Sequence, residues 1–218
     1  MNFTFLYPIF HKLDYCLQKE LKDCQTVLDL GCGPSSPLKN TKNIKYSVGV
    51  EIFKPYLNLS KKQKIHTKYL QKNILKLDFP KSSFDAVILI EVLEHLSKKD
   101  GQKIIKLAQK WAKKKIIIST PNNFFPMGIV DNNQYQQHCS GWSKLELKKL
   151  GFKINGVSGL KFFYKSENKV KSLIKSNVYQ NIKFKPQAFF YGLNALFQIP
   201  NYYFPIFSFG LFAVKIKK

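Results

Sequence analysis

The chain of 218 residues predicts a doubly wound α/β fold, on three observations. Short β-rich runs alternate with helical stretches along most of its length, the rhythm of a sheet with helices on both faces. Two of those runs, "FDAVILI" (84–90) and "KKIIIST" (114–120), are nearly continuous in apolar residues, as expected of parallel strands covered on both sides. The first run, "VLDL" (27–30), feeds directly into "GCGPSS" (31–36), the layout of a ligand loop at the carboxyl end of a strand.

The elements follow in order. Ile9, Leu13, Leu17 and Leu21 are spaced four apart and predict an amphipathic helix over about 8–23. Strands are expected at 26–31, 45–52, 65–71, 84–91, 114–120 and 152–159, with helices at 54–63, 97–112 and 143–150. The last helix lies between Ser143 and Gly151 and has Glu146 three past the serine, the pattern of a capping box. From Gln187 to Val214 no residue is charged. Asn194, Gln198, Pro200, Asn201 and Pro205 fall where a membrane helix would be deepest. The tail is therefore parsed as a helix (187–198), a turn at "IPNYYFP" (199–205) and a final strand (207–217). Two readings of it stand. Phe189, Leu193, Leu196 and Phe197 pack against the sheet, or the aromatics and neighbouring lysines meet a membrane surface.

A net charge of +23 would suit a polyanionic partner. Every one of the 36 basic residues is Lys, however, and the planar fork of Arg is the usual device for phosphates and bases. The lysines are read as solvated helix faces, and a specific nucleic acid is not expected. Cys16, Cys24, Cys32 and Cys139 form neither zinc-type pairs nor a disulfide framework, so no metal is expected. With no signal-peptide pattern at the start, the chain reads as a cytoplasmic protein, membrane association being the second reading.

The loop "GCGPSS" lacks the Gly-Lys-Ser/Thr of a phosphate loop, and Ser36 stands where a dinucleotide loop needs a third glycine. Asp29, two residues before Gly31, would repel a phosphate but suits a ligand carrying an ammonium and a sulfonium. Glu51 ends "VGVE", and a carboxylate there offers two acceptors to the hydroxyls of a ribose. These features point to a nucleoside with a positively charged tail, such as S-adenosyl-L-methionine.

On these residues the sequence resembles the class I S-adenosylmethionine-dependent methyltransferases, particularly the broad group with the ubiquinone- and menaquinone-type enzymes. "VLDLGCG" looks like the first motif and "VGVE" the ribose strand; "NILKLDFPKSSFDAVILIEVLEHL" (73–96) and "IIISTPNN" (116–123) resemble the third-to-fifth strand region. The resemblance implies a Rossmann-like, mostly parallel sheet with an antiparallel last strand. It places Gly31, Cys32, Gly33 and Glu91 near the methionine, Glu51 and Ile52 at the ribose, and Asn73 and Ile74 at the adenine. Asn73 stands where the family commonly has Asp. One domain over 1–218 is expected: an N-terminal helix (1–24), a cofactor-binding core (25–159), an insertion or substrate cover (160–205) and the last strand (206–218). For Glu94 the plain reading is an acid favouring a helix start, and for His95 packing or capping.

"DNNQYQQHCSGWS" (131–143) follows the fifth strand, where such sheets place substrates. Its His138 is suited to removing a proton, or it packs on Trp142 and caps the next helix. The expected reaction is methyl transfer to an O, N or C nucleophile of a small or lipid-linked acceptor. RNA or protein methylation and a non-catalytic binding module are the alternatives.

Overall fold

The computed structural model describes residues 12–166, 172–174 and 181–217. Its sheet has seven strands: β1 (Thr26–Leu30), β2 (Tyr46–Glu51), β3 (Lys68–Gln71), β4 (Phe84–Ile90), β5 (Ala112–Pro121), β6 (Lys153–Leu160) and β7 (Ser208–Ile216). They lie in the order β3-β2-β1-β4-β5-β7-β6. The first five pair in parallel, and β7 runs antiparallel to both β5 and β6. Apolar side chains alternate between the two faces because strand residues alternate sides. Leu28, Val87, Leu89, Ile116 and Ile118 join Trp111 and Trp142 in one core cluster; Val27, Ile88 and Ile117 join Leu17, Leu21 and Phe212 in the other.

The helices are α1 (Leu13–Leu21), α2 (Lys54–Lys62), α3 (Lys98–Trp111), α4 (Lys144–Lys149), α5 (Gln187–Leu196) and α6 (Gln198–Tyr203). Leu17 and Leu21 are buried as the spacing requires, while the expected start of α1 at Ile9 lies outside the described residues. The capping box forms: Glu146 N–H donates to Ser143 Oγ at 3.2 Å, and Ser143 N–H to Glu146 Oε2 at 2.8 Å. Much of the lysine-rich run beginning at residue 169 is also outside the described residues.

Two tail expectations are corrected. The segment expected to turn at 199–205 continues as helix α6, with Pro200 in its first turn. A proline there removes no helical hydrogen bond, since the first N–H groups of a helix have no partner within it. Helices α5 and α6 also point their polar side chains inward. Asn194, Gln198 and Asn201 are buried, whereas Phe189, Leu196 and Phe197 are exposed rather than packed on the sheet. Gly159 N–H donates to Gln198 Oε1 (2.6 Å), Leu160 N–H to Asn194 Oδ1 (2.7 Å), and Gln198 Nε2 to Gly156 O (2.9 Å). A Cβ on Gly156 would stand 2.2 Å from Asn201 O, so this approach of α6 to β6 needs a residue without a side chain. Among the described residues no helix is long and apolar enough to cross a membrane.

Candidate active site

The strand order reverses between β1 and β4, leaving a crevice beyond their carboxyl ends. A cavity of about 590 Å³ opens there. Asp29 and Gly31, Cys32 and Gly33 reach it from β1, Glu51 and Ile52 from β2, and Asn73 and Ile74 from β3. Glu91 reaches it from β4, and His138 from the loop after β5. Every residue singled out as a site candidate in the sequence therefore lines one space.

The glycine loop is tied down from β2. Gly31 and Cys32 donate their N–H groups to Val50 O at 2.8 and 3.0 Å, and Gly33 N–H donates to Glu51 Oε2 at 3.0 Å. Glu51 Oε1 accepts from Phe53 N–H at 2.8 Å, so each carboxylate oxygen holds one backbone donor and keeps further acceptor capacity. Burial raises the Glu51 carboxyl above its ordinary value, against the pull of these N–H groups. Gly31 has φ +71°, and a Cβ there would meet Val92 Cγ2 at 2.7 Å, so only glycine suits the position.

Asp29 is 1% exposed, and Ser36 Oγ donates to its Oδ2 at 2.5 Å. Burial drives its carboxyl up to about 7, with Glu51 adding to the rise and Ser36 opposing it. Ser36, the residue in place of a third glycine, is thus the partner of the buried acid. Asn73 Oδ1 accepts from Leu75 N–H at 2.9 Å and caps a short 3-10 turn.

At the far end of the cavity Glu91 has φ +55°, a left-handed backbone that a side-chain-bearing residue seldom adopts outside functional sites. Ser119 Oγ donates to Glu91 Oε1, and the Glu91 and Glu94 carboxyls hydrogen-bond to each other. Glu94 lies in a one-turn 3-10 helix, Leu93–His95, ahead of α3, whose cap is Ser97. It is buried, accepts from Thr120 Oγ1 at 2.9 Å, and is raised well above the carboxylate range by burial and by the charge of Glu91. Burial likewise raises Glu91.

The loop carrying His138 folds back on this turn. Cys139 and Ser140 donate N–H groups to Glu94 O at 2.7 and 3.0 Å, and Trp142 Nε1 donates to Leu93 O at 3.3 Å. His138 consequently meets His95, with ring centroids 4.8 Å apart, and Ser143 rather than His138 caps α4. Burial lowers both imidazoles, His95 to about 4 with His138 adding to the effect. Glu94 and His95 also line the cavity, although sequence spacing suggested only local roles for them. Other polar loop residues bond within the protein: Asp131 accepts from Tyr56 OH at 2.7 Å, and Asn133 caps Tyr135 N–H.

The family model of a methyltransferase domain matches residues 28–118, which run from β1 through most of β5. The sheet of the chain, with β7 antiparallel, has the Rossmann-like form of methyltransferase folds. The chain resembles an uncharacterized protein, MJ0638, of Methanocaldococcus jannaschii, with 37% identity over 90 residues, 41% of this chain and 38% of that protein. The chain thus matches well under half of that relative's length. In structure it is similar to a SAM-dependent methyltransferase from Archaeoglobus fulgidus, at 17% identity over 100% of both chains with a TM-score of 0.54. It is also similar to the methyltransferase domain of bacterial CtHen1-CN, at 16% identity over 95% and 98% of the two chains, TM-score 0.55. At these identities the likeness is one of fold.

Proposed function

We propose that the protein transfers the methyl group of S-adenosylmethionine to an O, N or C nucleophile of a small or lipid-linked acceptor. The observation that carries this reading is the acidic lining of the glycine-loop end of the cavity, where Asp29 and Glu51 stand beside Gly31–Gly33. Such a lining suits ribose hydroxyls, and a bound ammonium or sulfonium would favour the ionised form of the Asp29 carboxyl, which burial raises to about 7. In this reading Glu51 accepts from the ribose, Asn73 and Ile74 hold the adenine, and Gly31, Cys32, Gly33 and Glu91 surround the methionine. The acceptor enters from the His138 end. Its nucleophile attacks the methyl carbon in line, the S–C bond breaks, and the electron pair stays on sulfur. Holding the two reactants in register can itself lower the barrier by roughly 7–11 kcal/mol. Where the nucleophile carries a proton, His138 is the group suited to take it. Burial favours its neutral form, and the Nδ1 proton given to Phe125 O leaves Nε2 as the basic nitrogen. Calorimetry with S-adenosylmethionine and its demethylated product tests the reading; no heat of binding from the wild-type protein overturns it.

A lipid-linked acceptor is favoured by the outward apolar face of α5, α6 and the turn after them. Phe189, Tyr203, Phe204 and Phe207 are exposed there, and nearby Lys183 sits 4.9 Å over the ring of Phe162. Rings at headgroup depth beside ammonium groups suit peripheral contact with an anionic membrane. The segment 160–205 would then serve as a cover through which the acceptor is drawn.

A further inference from the structure

A second, open cavity of about 830 Å³ adjoins the first and shares Phe125 with it. Among the described residues its lining holds three lysines, Lys161, Lys165 and Lys183, and no Asp or Glu. None of the three lies on an α-helix, so they are not among the lysines that coat solvated helix faces. Backbone pairing brings them together. Lys165 N–H donates to Asn181 O at 2.9 Å and Lys183 N–H to Phe163 O at 2.8 Å, on either side of an antiparallel bridge between Tyr164 and Ile182. Lys161 Nζ donates to Asn122 O at 3.2 Å, and Lys183 Nζ lies 4.9 and 5.0 Å over the rings of Phe162 and Phe184. A carbonyl and aromatic faces hold these two ammoniums in place without neutralising them, and each ammonium has three N–H donors. Like charges gathered at one cavity repel one another, and an anion between them relieves the repulsion. A run of rings leads from here to the first cavity. Tyr164 stacks on Phe209 with centroids 3.9 Å apart, Phe209 meets Phe125 at 5.0 Å, and Phe125 meets His138 at 6.5 Å.

We propose that this second cavity binds a phosphate group carried by the acceptor. Resting on the methyl-transfer reading, the phosphate sits among Lys161, Lys165 and Lys183. An apolar or aromatic body then lies along Tyr164, Phe209 and Phe125, and the nucleophile reaches His138 and the methyl group. Lysine ammoniums meet a phosphate as point charges and need no bidentate geometry, so a site without Arg suits a phosphate at the end of a small or lipid-linked molecule. With the anion held at one end, the acceptor presents its other end to the methyl group. The lysines thus set the direction in which the acceptor enters.

The probes are phenyl phosphate and farnesyl phosphate, the latter below its micellar concentration, titrated calorimetrically into the full-length protein at physiological salt. Phenol and farnesol are the uncharged controls. The expected result is saturable binding of one phosphate compound per chain, weakened roughly fivefold or more in Lys161→Gln and in Lys183→Gln, and further in the double variant. Lys106→Gln removes the same charge from an exposed position on α3 and should keep wild-type affinity. Circular dichroism checks each fold, and Lys161→Gln carries the test if a change at Lys183 disturbs the rings around it. Equal affinity for the two phosphates assigns a soluble acceptor, and preference for farnesyl phosphate a lipid-linked one. No binding of either phosphate, a control binding as tightly as its phosphate, or an equal loss in Lys106→Gln overturns the site. S-adenosylmethionine affinity, measured on the same samples, separates the two readings. Cofactor binding without phosphate binding removes the phosphate site only, and phosphate binding without cofactor binding removes methyl transfer only.

Discussion

Asp29 and His66 meet beneath the glycine loop: His66 Nε2 lies 3.4 Å from Asp29 Oδ2, without the geometry of a hydrogen bond. Both side chains are buried, and burial drives them apart, Asp29 up from 3.8 to about 7 and His66 down from 6.5 to about 4. Each is therefore neutral over a common range of pH.

Their contributions to stability run in opposite directions. Asp29 binds its proton more tightly when folded, so its contribution is complete below about pH 4 and lost as pH rises through about 7. His66 binds its proton less tightly when folded, so its contribution is present above about pH 6.5 and lost as pH falls through about 4. Relative to wild type, the melting temperature of Asp29→Asn should rise between pH 4 and 7, and that of His66→Gln should fall between pH 4 and 6.5. Parallel melting curves for all three proteins across this range would contradict the pairing.

Glu51→Gln should weaken S-adenosylmethionine binding. The substitution turns one acceptor oxygen into a donor, either against Gly33 or Phe53 N–H or toward the ribose. A buried group left without its partner costs about 1–3 kcal/mol, which is roughly a five- to 150-fold loss of affinity by calorimetry. An unchanged dissociation constant would remove Glu51 from the ribose.

Gly31→Ala should lose about 1–3 kcal/mol of stability in denaturant unfolding, because the new Cβ presses on Val92 and adopts positive φ. Adding Val92→Ala removes the collision but not the backbone strain. A partial recovery is the expected outcome, and no recovery would place the cost entirely in the backbone.

Asn194→Leu should destabilise the protein even though its helix is mostly apolar. Leu160 N–H loses its acceptor, at a cost of about 1–3 kcal/mol. A variant as stable as wild type would show that the inward polar face is dispensable.

Flotation with anionic vesicles at low salt tests membrane contact. Wild type should float, and the pair Phe204→Ser and Phe207→Ser, both highly exposed in the native fold, should shift it to the soluble fraction. Wild type remaining soluble would favour a water-soluble acceptor.

The order of strands and helices was legible in the chain because it rests on local periodicity. Alternation, apolar runs and the Ser143–Glu146 pair are all properties of a few adjacent residues. Asp29 and Glu51 were legible as candidates for the same reason, since each sits at or near the end of a recognisable strand, while Asn73 and Glu91 entered only through the family resemblance of the stretch 73–96. Glu94 and His95 were not. Their partner His138 is distant in sequence and arrives only when the loop after β5 bonds back to Glu94 O.

The tail marks the same boundary. Its composition determined that helix and strand would follow one another, and the positions of Asn194, Gln198 and Asn201 spoke against a membrane helix. Which way the helices face was decided in three dimensions. Pairing of β6 with β7 is irregular between Val157 and Leu160. The N–H groups of Gly159 and Leu160 bond instead to Gln198 and Asn194. Buried backbone donors need partners more than Phe189 and Leu196 need burial, so the amides turn inward and the rings outward. That demand exists only once the strands have paired, and no local pattern in α5 or α6 contains it.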